Sequence, residues 1–125
     1  MATVVQRMEP ADVVRAAWDR YAVGDVEGAL DLFAPDAVWR PVPGYPGPAA
    51  FLGREELLRW AQSLGEHFST YQMVVTDVRD LGEFVLAHGV LYAENGGEVV
   101  INRVTVWRCR VANGLITRVD AAEAA

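Results

Sequence analysis

A single cysteine, Cys109, stands in 125 residues, so no internal disulfide can form and a thiolate metal site has no partners. Histidine is nearly as scarce. His67 and His88 lie far apart in the chain, and no His/Cys/Asp/Glu cluster has ligand spacing, so neither a metal nor a cofactor is expected. No glycine-rich loop follows a strand to cradle phosphate, and Gly96-Gly97 reads only as a hairpin turn. No uninterrupted apolar run of about 18 residues exists, which excludes a transmembrane helix. Residues 1–10 carry no basic region ahead of an apolar run, so no secretory leader is expected and cytoplasmic residence is the default. Basic residues are outnumbered, 11 Lys+Arg against 17 Asp+Glu, for a formal charge of -6. A surface of that sign repels phosphate backbones and anionic lipid, which argues against nucleic acid or membrane as partner.

What is present is the balance of an ordinary globular chain, 52% hydrophobic and 22% charged. The length suits one domain over residues 1–125, with a core at about 10–122 and roughly 65% of the unfolded surface available for burial. Residues 10–23 read as an amphipathic helix, with Pro10 in the first turn and Gly24 at the stop. Val14, Ala17, Trp18, Tyr21 and Ala22 fall on its apolar stripe. Asp25 can cap a second helix that runs until Pro35, and a brief strand follows over 37–42. Pro41, Pro43, Pro46 and Pro48, with Gly44 and Gly47 between them, make a loop that can be neither helix nor central strand.

A third helix spans about 54–68, with Leu57, Trp60, Ala61, Leu64 and Phe68 on one face. Segments 71–80, 84–93, 98–111 and 115–122 are rich in β-branched and aromatic residues and read as strands. The turns between them include Asn95-Gly96 and Asn113-Gly114, pairs that favour the positive φ of tight hairpins. Helices first and an antiparallel meander afterwards predict an α+β fold, with a curved antiparallel sheet curling around three N-terminal helices.

Four stretches, in this order, resemble the nuclear transport factor 2-like superfamily and within it the SnoaL-like group. They are Trp18-Asp19-Arg20-Tyr21 running into Gly24-Asp25, Leu32 to Trp39, Phe51 to Leu57, and Val106-Trp107 followed by Asn113 to Arg118. The resemblance implies a cone-shaped, cystatin-like α+β barrel enclosing a pocket, in a chain that pairs as a homodimer through the outer face of its sheet. Relatives include polyketide cyclases, ketosteroid isomerase, limonene epoxide hydrolase and scytalone dehydratase, besides pure binding proteins. One fold therefore hosts many chemistries.

Against those relatives, the residues match unevenly. The isomerase's base would fall at Arg40, before Pro41, and a guanidinium cannot accept a proton at neutral pH. Its oxyanion donor comes nearest to Thr105, and its helix-one tyrosine falls near Ala17, with Tyr21 one turn on; steroid isomerisation is not expected. Arg40, Arg103 and Asp120 can supply parts of the hydrolase's acid–arginine–acid set, though no spacing forces them together. Asp120 also stands within about one residue of the cyclases' acid/base aspartate, and a slip of one turns a strand side chain to the opposite face. His88, sharing its face with Leu86, Val90 and Tyr92, is the one side chain of its strand with an ordinary pKa near neutrality. Asp120, His88 and Arg40 are therefore the catalytic candidates, the last as an electrostatic stabiliser.

Each has a plainer alternative. Arg40 can sit at the surface or a subunit contact, His88 can be a hydrogen-bonded structural residue, and Asp120 can form a solvated pair with Arg118. His67 can complement its helix dipole, and Cys109 can pack as a small apolar group. The aromatic set points to a ligand. Trp18, Trp39, Trp60 and Trp107 come from different elements and are expected to wall one hollow, with Tyr45 and Phe51 on the proline-rich loop at its mouth. Tyr21 joins them, and Arg103 and Thr105 share the face of Trp107 as polar anchors. The expected guest is a small hydrophobic, flat or polycyclic molecule, held with or without acid/base chemistry such as cyclisation, hydration or isomerisation. The rival reading is a non-catalytic binding or dimerisation module.

Overall fold

Helix α1 (Pro10–Ala22) starts where proline's missing N–H loses no partner, and Val13, Val14, Ala17 and Trp18 form its buried stripe. The coordinates are a computed structural model that describes residues 8–45 and 47–124; Pro46 of the loop, and all but the end of the stretch read for a leader, lie outside them. Helix α2 (Val26–Leu30) is capped by Asp25, whose carboxylate accepts from the Gly28 N–H at 2.9 Å. Arg20 of α1 donates to the Gly28 carbonyl at 2.8 Å and fixes the two helices together.

The second helix ends five residues short of Pro35, which lies instead within strand β1 (Phe33–Arg40). Phe33, Ala34 and Ala37 are buried, and their burial draws the chain out as a strand. Proline is accommodated because the register against β6 is interrupted between Phe33 and Val38 and the pairing with β2 begins only at Val38, so no ladder bond needs its missing donor. The proline-rich segment then leads into a two-residue strand, β2 (Phe51–Leu52), where the sequence reads as loop. Helix α3 (Arg54–His67) follows, and its Arg54 guanidinium donates to the Phe33 carbonyl, tying the start of α3 to β1.

Strands β3 (Thr70–Asp80), β4 (Val85–Asn95), β5 (Glu98–Ala112) and β6 (Leu115–Glu123) form the meander. The six-stranded sheet has the order β2-β1-β6-β5-β4-β3. It is mixed rather than wholly antiparallel, because β1 and β6 run parallel. A parallel pair needs a long crossover, and everything between Arg40 and Leu115 supplies it. The turn at Asn113-Gly114 has φ of 54° and 76°, as its residue types imply.

Alternation gives the sheet two unlike faces. Val85, Ala87, Leu91 and Ala93 of β4, Thr105, Trp107 and Cys109 of β5, and Ile116, Val119 and Ala121 of β6 are buried on the helix side. Leu86, His88, Val90 and Tyr92 alternate with the β4 set on the other side. Curvature comes from a bulge between Val75 and Asp77, opposite Gly89. A Cβ on Gly89 would lie 1.8 Å from the Val74 carbonyl oxygen, so the backbones approach closely enough there to admit only glycine.

Gly89→Ala is therefore expected to lower stability by about 2–3 kcal/mol through backbone overpacking. Gly65→Ala, in α3 with nothing within 4 Å, is expected to raise it by about 0.5–1 kcal/mol. Urea denaturation of both variants checks the pair, and a tolerated Gly89→Ala would show that the bend does not depend on glycine.

Candidate functional site

Four indoles meet between the helices and the sheet. Trp18 of α1 stacks on Trp39 of β1 with centroids 5.8 Å apart and touches Trp107 of β5 at 5.7 Å. Trp60 of α3 packs on Trp39 at 5.6 Å and stacks on Phe51 of β2 at 4.6 Å. The sequence predicts a hollow walled by these rings; the rings instead fill it. What remains is a void of about 50 Å³ among Trp18, Tyr21, Trp39, Trp60 and Met73, and one of about 10 Å³ under Tyr45 that Trp107 also borders. Neither approaches the ~150 Å³ of a protein cavity that takes up benzene. An aromatic guest does not fit among the closed rings.

Space of the right size lies nearer the surface. A groove of about 610 Å³ opens between the ends of α1 and α3 and strand β3, lined by Trp18, Tyr21, Ala61, Phe68, Tyr71 and Met73 among others. Trp18, Tyr21, Val26, Ala61 and Met73 border both this groove and the 50 Å³ void, so the void is the floor of the groove.

The proline-rich loop is not the mouth. Tyr45 packs edge-on against Trp60, and its hydroxyl accepts from Trp60 Nε1 at 2.8 Å, which seats the loop over the indoles as a plug. On the loop's outer side, Tyr45, Phe51 and Trp60 border a separate groove of about 500 Å³ with Glu56, Arg59 and His67. Arg103 is exposed beside a smaller groove of about 160 Å³. Thr105 is fully buried, and its hydroxyl donates to the Arg103 carbonyl at 3.0 Å, so it is no ligand anchor.

The polar side chains at the 610 Å³ groove are the phenols of Tyr21 and Tyr71, the hydroxyls of Ser69 and Thr70, the Gln72 amide and, at the edge, the Asp19 carboxylate. Burial, with Tyr45 adding to it, pushes the Tyr21 hydroxyl up to about 12. Tyr71 is raised further by burial, then by Tyr45 and Tyr21. Both phenols therefore keep their protons at neutral pH. Tyr71 escaped the sequence reading, although its period-two spacing to Met73 on β3 and its closeness in sequence to Phe68 carried the signal. Cys109 packs as a buried apolar group, its thiol pushed up to about 12 by burial. Among the described residues no three His, Cys, Asp or Glu side chains are grouped to hold a metal ion.

Asp120, His88 and Arg40 lie on the opposite face of the sheet. Register places Arg40, Asp120 and Arg108 in one row across β1, β6 and β5, while their neighbours Trp39, Val119 and Cys109 face the helices. Arg118 donates to both oxygens of Asp120 at 2.7 and 3.2 Å. Arg108 stands 3.7 Å away and Arg40 3.9 Å. The hydrogen bonds from Arg118, chiefly, with the charges of Arg118, Arg108 and Arg40, outweigh partial burial and hold this carboxyl below its ordinary range. Such a carboxylate accepts hydrogen bonds and does not supply protons. His88 pairs in register with Val106 and Asp77 on that outer face, and among the described residues its buried Nδ1 has no partner. The structure thus separates these three from the aromatic set, because one position along a strand reverses the face.

Comparison with known proteins agrees with this architecture. The model of the SnoaL-like domain matches residues 14–119. No curated protein matches the chain. Among solved structures, IdmH of Streptomyces antibioticus, a candidate polyketide cyclase, superposes with a TM-score of 0.72 at 24% identity over 91% of each chain. A cystatin-like protein of unknown function from Xanthomonas campestris gives 0.83 at 17% identity, over 94% of this chain and 92% of that one. TerC, co-crystallised with polyporic acid, gives 0.78 at 16% identity, over 90% and 89%.

A carboxyl group held low in the folded state adds stability above the ordinary carboxylate range and withdraws it as pH falls through the folded value. Asp120→Asn is expected to cost about 1 kcal/mol at neutral pH, given the solvent screening of its half-exposed partners. The same change should flatten the loss of stability below about pH 4. Urea denaturation across that range checks this, and an unaltered acid limb would mean that the arginine clasp does not stabilise the fold.

Proposed function

Because the chain belongs to the SnoaL-like domain family, whose shared fold does not fix one chemistry, we propose its function from geometry: it binds a small, flat, apolar molecule in the groove between α1, α3 and β3. One observation carries this reading. The groove has the volume of a small-molecule site, its floor is indole and phenol, and apart from Asp19 at its edge its polar side chains are neutral. Co-crystallisation of the similarly folded TerC with polyporic acid supports a small-molecule role.

Binding, rather than acid/base turnover, is the reading that this arrangement favours. General acid/base work needs a group that exchanges a proton near the operating pH, within reach of the substrate. Asp120 is clasped by arginines on the far side of the sheet, Arg40 is one of them, and His88 shares their face. The groove's other ionisable side chain besides its tyrosines is Asp19, at its exposed edge.

A second copy of the chain is the proposed occupant of the outer sheet face. Val74, Val90 and Val104 form one row across β3, β4 and β5, with Val74 48% and Val104 59% exposed. Val106 and Leu86 extend this patch, and contiguous exposed apolar surface of that kind marks an association face.

Titration with the flat hydrocarbon fluorene is expected to quench tryptophan emission saturably. Ala61→Trp, which fills the shared wall of groove and void, should weaken that binding by about tenfold or more, while Asp120→Asn and His88→Gln leave it unchanged. Absence of saturable quenching would sink the groove reading. Sedimentation velocity tests the pairing: the parent is expected to run as a dimer and Val104→Asp as a monomer, and a monomeric parent at high concentration would reject it.

A further inference from the structure

Nearly all arginines of this acidic chain are committed. Ion pairs to carboxylates or hydrogen bonds to carbonyls engage every arginine among the described residues except Arg59 and Arg103. With 17 Asp+Glu against 11 Lys+Arg, an unpaired guanidinium is an exception. Both exceptions border grooves beside Tyr45, on the side of the molecule closed by the proline-rich loop. The groove at Arg103 has about 160 Å³, below the range of small-molecule sites, whereas the one at Arg59 has about 500 Å³ and falls within it.

One face of α3 and the loop build this larger groove. Glu56, Arg59, Trp60, Ser63 and His67 recur at three- and four-residue spacing along the helix. Tyr45, Pro48 and Phe51 form the facing wall. Two contacts hold that wall in place: Phe51 stacks on Trp60 at 4.6 Å, and the Tyr45 hydroxyl accepts from Trp60 Nε1 at 2.8 Å. The polar groups are unequally occupied. The Glu56 carboxylate accepts from the Leu52 N–H at the start of α3, and the Ser63 hydroxyl donates to the Trp60 carbonyl at 2.8 Å. Arg59, exposed in mid-helix, has no carboxylate within ion-pair reach among the described residues, and His67 adds a second basic side chain in the last turn.

We propose that this groove is a second binding site, for a planar aromatic carboxylate whose ring lies against Trp60, Phe51 and Tyr45 and whose carboxylate takes the Arg59 guanidinium. The planar fork of a guanidinium meets a carboxylate through two parallel N–H bonds, which fixes the guest's orientation as well as its charge. This site goes beyond the groove between α1, α3 and β3. The two share no lining residue, and they differ in charge, Asp19 bordering one and Arg59 the other.

2-Naphthoate and 2-naphthamide, alike in outline and different in charge, supply the test on the full chain. Indole N–H signals of ¹⁵N-labelled protein are followed while each compound is titrated. Naphthoate is expected to move the Trp60 signal saturably and to bind about fivefold more tightly than naphthamide, the scale of one solvent-screened ion pair. High salt should shrink that preference. Arg59→Gln should bring the two affinities together; if that variant fails to fold, the salt response of the unaltered chain decides. Fluorene, the probe of the other groove, should not displace naphthoate. Equal affinities, a preference that survives Arg59→Gln, or a stationary Trp60 signal would overturn this inference and leave the other groove standing. Displacement of naphthoate by fluorene would assign both compounds to one groove and overturn it too, whereas failure of fluorene alone to bind would reject only the other groove.

Discussion

Strand alternation in one curved sheet keeps two chemistries apart at a distance of a single residue. Trp39, Val119, Ala87 and Trp107 face the helices, while Arg40, Asp120, His88 and Arg108 beside them do not. No rotamer carries a side chain through a hydrogen-bonded sheet, so this partition is fixed once the register is fixed. A slip of one residue would bury the arginines and expose the indoles together, a change with a prohibitive desolvation cost. The hairpin at Asn113-Gly114 and the bend at Gly89 hold that register, and the character of each face follows from them.

On the inner face, ring packing decides where a ligand can go. Each indole of the central set touches at least one other, and favourable aromatic pairs add about 0.5–1.5 kcal/mol beyond the area they bury. Prising the set apart to admit a guest would lose several such contacts at once. Tyr45 adds a further tie, since its hydroxyl takes the Trp60 N–H and its ring covers the same indole. The side closed by the proline-rich loop therefore resists opening. The opposite side has no such plug: α1 and α3 end there above Tyr71 and Met73 of β3, and the groove is the surface left between them.

Much of this was legible in the amino-acid order, for physical reasons. Apolar spacing of three and four residues located α1 and α3 to within a residue, and Asn-Gly pairs located the hairpins. Alternation on β4 and β5 identified the face shared by Arg103, Thr105 and Trp107 and that shared by His88 and Val90. Pro35 misled, because local sequence makes proline a helix stop, whereas the burial of Phe33 and Ala34 had already turned the chain into a strand. The parallel pairing of β1 with β6 is set by contacts far apart in sequence, beyond the reach of local patterns. The indoles were correctly gathered into one place, yet a wall and a filling have the same composition; only ring-to-ring distances tell them apart. Asp120 shows the limit most sharply. Its pairing with Arg118 was readable from their two-residue spacing, while its side of the sheet depended on a register that no single strand encodes.

That same sensitivity explains how one architecture supports both turnover and simple retention of a molecule. Proton transfer requires a base or acid on the inner face; moving such a residue one place along β1 or β6 exports it to the outer face without disturbing the ladder. Here the inner positions at those strand ends are Trp39 and Val119, and the charged positions are outside. What the groove beside α1, α3 and β3 presents is therefore shape, apolar surface and the phenol O–H groups of Tyr21 and Tyr71, which stay protonated across the neutral range. Groups of that kind align and discriminate among guests through which acceptors they leave unpaired. A sheet built this way turns its neutral residues toward the helices and its charges away from them.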